Sequence, residues 1–190
     1  MKEIQSIIES SIAVKQALAA DPVLMHGIQD LVNRISTTFR EGGKVLLCGN
    51  GGSAADAQHI AAELSGRFYK DRPALFAEAL HVNTSYLTAV ANDFGYEEVF
   101  ARLVTGMGKP GDLLIGLSTS GESENVLRAV QTARSRQLFT VGMTGAGGGR
   151  LSAHCDLWIG VPSDDTPRIQ EAHLLIGHIV CELVERDLFP

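Results

Sequence analysis

The chain has 190 residues and a mass of 20.3 kDa, ample to bury one continuous core, and residues 1–190 are read as a single domain. A hydrophobic share of 45%, a charged share of 20% and a mean hydropathy of +0.09 exclude disordered, fibrous and membrane-spanning classes. A net charge of −6, from 22 acidic and 16 basic residues with no basic stripe, argues against nucleic acid as a partner.

The amino terminus alternates charge with aliphatic residues and lacks the apolar core of a signal peptide, and no later stretch approaches the ~20 residues that span a bilayer. No membrane partner is expected. Three cysteines, Cys48, Cys155 and Cys181, are too few and odd in number for a disulfide framework, so reduced thiols and a cytoplasmic location are expected.

Helical spacing of Ile4, Ile7, Ile8 and Ile12, and then of Leu24, Ile28, Leu31, Val32, Ile35 and Phe39, predicts two leading helices. Asp21-Pro22 separates them and Gly42-Gly43 ends the second. An apolar strand from Val45 to Cys48 runs into the loop Gly49-Asn50-Gly51-Gly52-Ser53 and a helix from Ala54 to Ser65. A strand is predicted near Phe76 to Val82, then a helix over Thr84 to Ala91 and a polar turn at Asn92-Asp93-Phe94-Gly95. The strand, loop, helix unit returns with Asp112 to Leu117, the Ser/Thr/Gly loop Ser118 to Ser123 and the helix Glu124 to Arg136. A third copy follows with Phe139 to Met143, a glycine-rich loop, a short helical turn and the strand Leu157 to Val161.

Strands alternating with helices, and apolar throughout where both faces are covered, define a doubly wound α/β fold on a parallel sheet of about five strands. The closing helix, Ile169 to Leu188, is apolar around most of its circumference, which predicts packing on several sides and a partner subunit.

In such a sheet ligands gather beyond the carboxyl ends of the strands, where helix N-termini offer free N–H groups and partial positive charge. Asn50-Gly51-Gly52-Ser53 and Ser118-Thr119-Ser120-Gly121-Glu122-Ser123 both fall there, and four hydroxyls in the second suit a phosphate monoester. Neither loop has a dinucleotide or ATP fingerprint, which sets nucleotides aside. Glu122 and Glu124 flank Ser123, so their carboxylates must point away from any bound phosphate. His59 and Glu63 stand four apart on the helix after the first loop, so both project from one face and can bind a metal or move a proton. In the closing helix Gln170, His173 and His178 interrupt an apolar pattern, and spacing alone does not choose between the two histidines.

Together, Cys48-Gly-Asn-Gly-Gly-Ser53, Ala57-Gln-His59, Glu63-Leu-Ser-Gly-Arg67, Ala91-Asn-Asp93, Ser118-Thr-Ser-Gly121 and Arg168-Ile-Gln-Glu-Ala-His173 resemble the phosphoheptose isomerases, a family of sugar isomerase (SIS) domain enzymes. The resemblance spans nearly the whole chain. It implies conversion of sedoheptulose 7-phosphate to D-glycero-D-manno-heptose 7-phosphate, which enters bacterial surface polysaccharide, by a cytoplasmic homotetramer holding one zinc per subunit. It implies metal binding by His59, Glu63, Gln170 and His178, with Glu63 and His178 as the acid/base pair. Asn50, Gly51, Gly52, Ser53, Asn92, Asp93 and Gln170 are then substrate contacts, and Ser118, Thr119, Ser120 and Ser123 the phosphate loop. The family pattern selects His178 over His173. The rival expectation is a non-catalytic SIS-domain protein that binds sugar phosphate or associates with a replication initiator; such relatives lack equivalents of Glu63 and His178, both present here.

Overall fold

A computed structural model describes residues 1–190. Asp21 ends the first helix, α1 (Lys2–Ala20), and starts the second, α2 (Pro22–Arg40), its carboxylate accepting from the backbone N–H groups of Val23 and Leu24. Pro22 at the first helical position has no N–H to leave unpaired, so the break read in the sequence is a cap of ordinary chemistry.

The five strands are β1 (Val45–Gly49), β2 (Ala77–Ala79), β3 (Leu113–Leu117), β4 (Phe139–Thr144) and β5 (Leu157–Gly160). All pair in parallel, in the order β2-β1-β3-β4-β5. Every residue of β1 and β3 is buried, as expected of strands covered on both faces. One face carries α2, α3 (Gly52–Ser65) and α8 (Thr166–Leu188) over Val45, Leu47, Leu113, Ile115 and Val141. The other carries α4 (Thr84–Phe94), α5 (Val99–Met107), α6 (Glu124–Ser135) and the short α7 (Gly149–Ser152) over Leu46, Cys48 and Leu114.

The chain leaves β1 for one face through α3 and leaves the adjacent β3 for the other through α6. A crevice at the carboxyl ends of β1 and β3 follows from that reversal of direction, and it is flanked by the two loops singled out in the sequence.

Four expectations need correction. Asn92 and Asp93 lie in the last turn of α4 and not in a loop; the helix continues to Phe94 and Gly95, at φ +95°, ends it. The second strand shrinks to Ala77–Ala79, because it is an edge strand paired with β1 alone over three residues. The closing helix starts three residues earlier, at Thr166, with Pro167 in its first turn. Helix α5 is additional to the elements the sequence predicts: its buried Val99, Phe100, Ala101 and Val104 pack against α6, and its short length leaves too few periodic positions to mark it.

Candidate active site

His59 and Glu63 stand on the exposed side of α3, with Glu63 Oε1 3.4 Å from His59 Nε2. Across from them α8 brings His178, whose Nε2 lies 2.9 Å from His59 Nε2. The same chain therefore supplies both helices of this cluster. His173, one and a half turns earlier, faces the opposite way: it is fully buried and its Nε2 donates to Thr144 O at 3.2 Å. His173 thus lies in the core, and His178 is the histidine of α8 that stands beside His59.

Helix α8 passes close by the glycine loop. A Cβ on Gly52 would stand 2.3 Å from Gln170 Nε2, so the Gln170 amide rests directly on the glycine backbone and a side chain there would push it aside. Gln170 is accordingly at the glycine loop, while His178 is two turns further along α8 at the α3 face. Ser53 is buried at the start of α3. Asn92 and Asp93 are exposed and hydrogen-bond each other.

In the second loop Ser118 Oγ and Ser123 Oγ are 3.0 Å apart, and Gly121 N donates to Ser118 Oγ. Gly121 has φ +69°, and a Cβ there would lie 2.1 Å from Gly148 O, a backbone atom that cannot yield. Gly145 N donates to Thr119 O and Leu151 N to Gly121 O, so the loop after β4 braces this one. Glu122 is turned outward onto Arg150, which donates to its carboxylate from both N and Nε; these bonds hold the Glu122 carboxyl below its usual range. Arg150 also reaches Glu124. Both carboxylates flanking Ser123 are thus engaged by a cation at the protein surface.

Three features were not legible in the sequence. Asn125, in the first turn of α6, exchanges two amide hydrogen bonds with Asn50 of the glycine loop. Asp56, one turn before His59, is half-buried with Oδ2 unpartnered, and burial pushes it up to about 6 against the pull of His59. Arg72 and Glu185 form an ion pair with side chains only 2% and 3% exposed. Glu185 also accepts from the N–H groups of Phe68, Tyr69 and Lys70, while Arg72 Nη2 donates to Glu63 O at 3.0 Å. The Phe68 ring lies 5.8 Å from that of His178, so this pair holds the chain segment that supports the cluster.

As a metal site the cluster offers suitable donor types but an incomplete set. Two imidazole nitrogens and a carboxylate oxygen are groups zinc accepts; the His59–Glu63 spacing of 3.4 Å matches the donor separation of a zinc tetrahedron, about 3.4 Å, while the His59–His178 spacing of 2.9 Å is too short for it. As folded, no group of three or more such side chains is arranged to hold an ion, and Gln170 stands apart at Gly52.

A parallel sheet in the order 2-1-3-4-5 with a hydroxyl-rich loop after β3 defines a doubly wound α/β domain; the SIS domain family matches residues 9–145. The chain is 55% identical to the phosphoheptose isomerase of a Roseiflexus strain over 96% of its own length and 91% of that protein's. It is 50% identical to the phosphoheptose isomerase of Aneurinibacillus thermoaerophilus over 98% and 94%. The solved phosphoheptose isomerase of Neisseria gonorrhoeae superposes with a TM-score of 0.91 at 38% identity, covering 97% of this chain and 98% of that one. The chain belongs to the phosphoheptose isomerase family.

Proposed function

We infer that the protein isomerises sedoheptulose 7-phosphate to D-glycero-D-manno-heptose 7-phosphate, supplying heptose for bacterial surface polysaccharide. The observation that carries this reading is the meeting of Glu63, His59 and His178 between α3 and α8, in a chain 50–55% identical to phosphoheptose isomerases. Nothing favours the non-catalytic alternative, since the two residues such relatives lack are here in one cluster.

Moving a carbonyl between C2 and C1 requires a base for a carbon-bound proton, an acid for the carbonyl oxygen and stabilisation of the enediolate between them. Glu63 is the base and His178 the acid. The hydroxyls of Ser118, Thr119, Ser120 and Ser123, with the first N–H groups of α6, take the phosphate. Asn50, Gly51, Gly52, Ser53, Asn92, Asp93 and Gln170 address the sugar.

We also propose one zinc per subunit: His59, Glu63 and His178 would close around it, Gln170 would have to leave Gly52 to become the fourth donor, and the ion would supply polarisation of substrate oxygens. Elemental analysis of gently purified protein is expected to find it, with loss in His59→Ala. Full activity in chelated protein leaves proton transfer to Glu63 and His178 alone.

A homotetramer is proposed because α1 leaves Ile4, Ile7, Ile8 and Ile12 at 64, 58, 54 and 48% exposure on one apolar face. Sedimentation showing a stable active monomer refutes it. The three free cysteines support a cytoplasmic location, and no helix is long and apolar enough to cross a membrane. Turnover of sedoheptulose 7-phosphate by the purified protein is the test of the function, and its absence overturns the reading.

A further inference from the structure

The side-chain amide of Asn50 is fixed by a chain of hydrogen bonds with an unambiguous start. Val126 N–H can only donate, so the Asn125 atom 3.0 Å from it is the oxygen Oδ1. That oxygen also accepts from Asn50 Nδ2 at 2.8 Å, and Asn125 Nδ2 donates back to Asn50 Oδ1 at 2.9 Å. Tyr96 Oη donates to the same Asn50 oxygen at 3.1 Å. Both lone pairs of Asn50 Oδ1 are therefore taken, and one of the two Nδ2 hydrogens. A single N–H is all that remains of the side chain's hydrogen-bonding capacity.

Asn125 is 3% exposed, so its side of the pair is shielded from water, whereas the Tyr96 bond stands at the surface. Asn50 belongs to the loop after β1 and Asn125 to the first turn of the helix after β3, so the pair ties the two substrate loops together across the switch point. Tyr96, just beyond the end of α4, joins the segment carrying Asn92 and Asp93 to the same node.

On the isomerase reading above, we propose that Asn125 and Tyr96 are positioning residues for the reaction: acting through Asn50, they set the glycine loop against the phosphate loop and leave Asn50 as a one-proton donor to a sugar oxygen. Such a donor matches an oxygen that gains negative charge in the enediolate and cannot serve a substrate group that must itself donate. A fixed dipole aimed at developing charge acts on turnover more than on binding.

The experiment compares wild-type, Asn125→Ala and Tyr96→Phe proteins for kcat and KM with sedoheptulose 7-phosphate, for the inhibition constant of inorganic phosphate, and for the thermal midpoint. Asn125→Ala is expected to lower kcat about tenfold or more while the phosphate constant stays within about twofold, since the phosphate loop keeps its own donors. Tyr96→Phe, at a half-exposed ring where folding is not at risk, is expected to lower kcat several-fold with little change in KM. Unchanged kcat in Tyr96→Phe overturns the proposal even where Asn125→Ala is too unstable to assay. It is equally overturned where kcat falls only in step with a weakened phosphate constant and a lowered midpoint, the signature of a merely structural role. No turnover by the wild-type protein overturns the isomerase reading itself, whereas an active wild type with unaltered variants overturns this inference alone.

Discussion

His59 Nε2 and His178 Nε2 meet at 2.9 Å across 119 residues of sequence, and only one of them carries the proton of that contact. Glu63 completes the group from the same helix as His59. Glu63→Gln is nearly isosteric and deletes only the proton acceptor, so kcat is expected to fall by roughly 10²–10⁴ with the thermal midpoint unchanged. His178→Asn is expected to do the same. His173→Asn, in contrast, disturbs a core residue and is expected to lower stability first; if it proved the more damaging to turnover, the wrong histidine carries the acid.

The phosphate loop makes a second expectation. Ser120→Ala is expected to raise KM and leave kcat nearly unchanged, because it removes one donor from a group that binds the unreacting end of the substrate. Arg150→Ala frees the Glu122 carboxylate beside that loop, while Glu124 keeps its bond from Arg128, and is expected to raise KM several-fold, with Glu122→Gln restoring part of the loss in the double variant. Equal turnover of the unphosphorylated sugar contradicts the loop's role.

Much of this was legible because it is local. A strand that ends in Gly49-Asn50-Gly51-Gly52 and restarts as a helix announces its loop in five residues, and α3 puts His59 and Glu63 on one face by its period alone. What could not be read depends on tertiary approach. Asn125 sits inside an ordinary amphipathic helix, and its partner is 75 positions away. Glu185 looks like one more surface acid near the chain end, yet it accepts four hydrogen bonds from residues 68–72. The residue types of Asn92-Asp93 favour a turn, but Leu87 and Val90 carry the helix past them to Gly95.

The Arg72–Glu185 pair carries a stability expectation with a functional edge. Arg72→Ala leaves a carboxylate in a 3%-exposed site without its cation, which is expected to cost about 3–5 kcal/mol in denaturant titrations. Burial raises the Glu185 carboxyl, but the N–H groups of Lys70, Phe68 and Tyr69 and the Arg72 side chain outweigh it and hold it below its usual range. A depressed carboxylate contributes stability above the ordinary carboxylate range and loses it as pH falls through its folded value. Because Arg72 also holds Glu63 O, kcat is expected to fall as well, and a destabilised Arg72→Ala with full kcat refutes the link.

His173 sets a different pH window. It is fully buried, its Nε2–H donates to Thr144 O and its Nδ1 has no partner, so the neutral imidazole is the form that fits. Burial pushes it down from 6.5 to about 4, with the Thr144 bond opposing only in part. Between those values the unfolded chain binds a proton that the folded chain does not, so stability rises with pH across the window and falls as the solution is acidified from about 6.5 towards 4. A shift of that size is worth about 3 kcal/mol. His173→Gln retains a donor for Thr144 O and has no proton to gain, so it is expected to be less stable at pH 7 but to lose less on acidification. Urea titrations of both proteins at pH 7, 5.5 and 4.5 separate the outcomes: a shallower slope in His173→Gln assigns the acid sensitivity to this residue, and parallel slopes remove it.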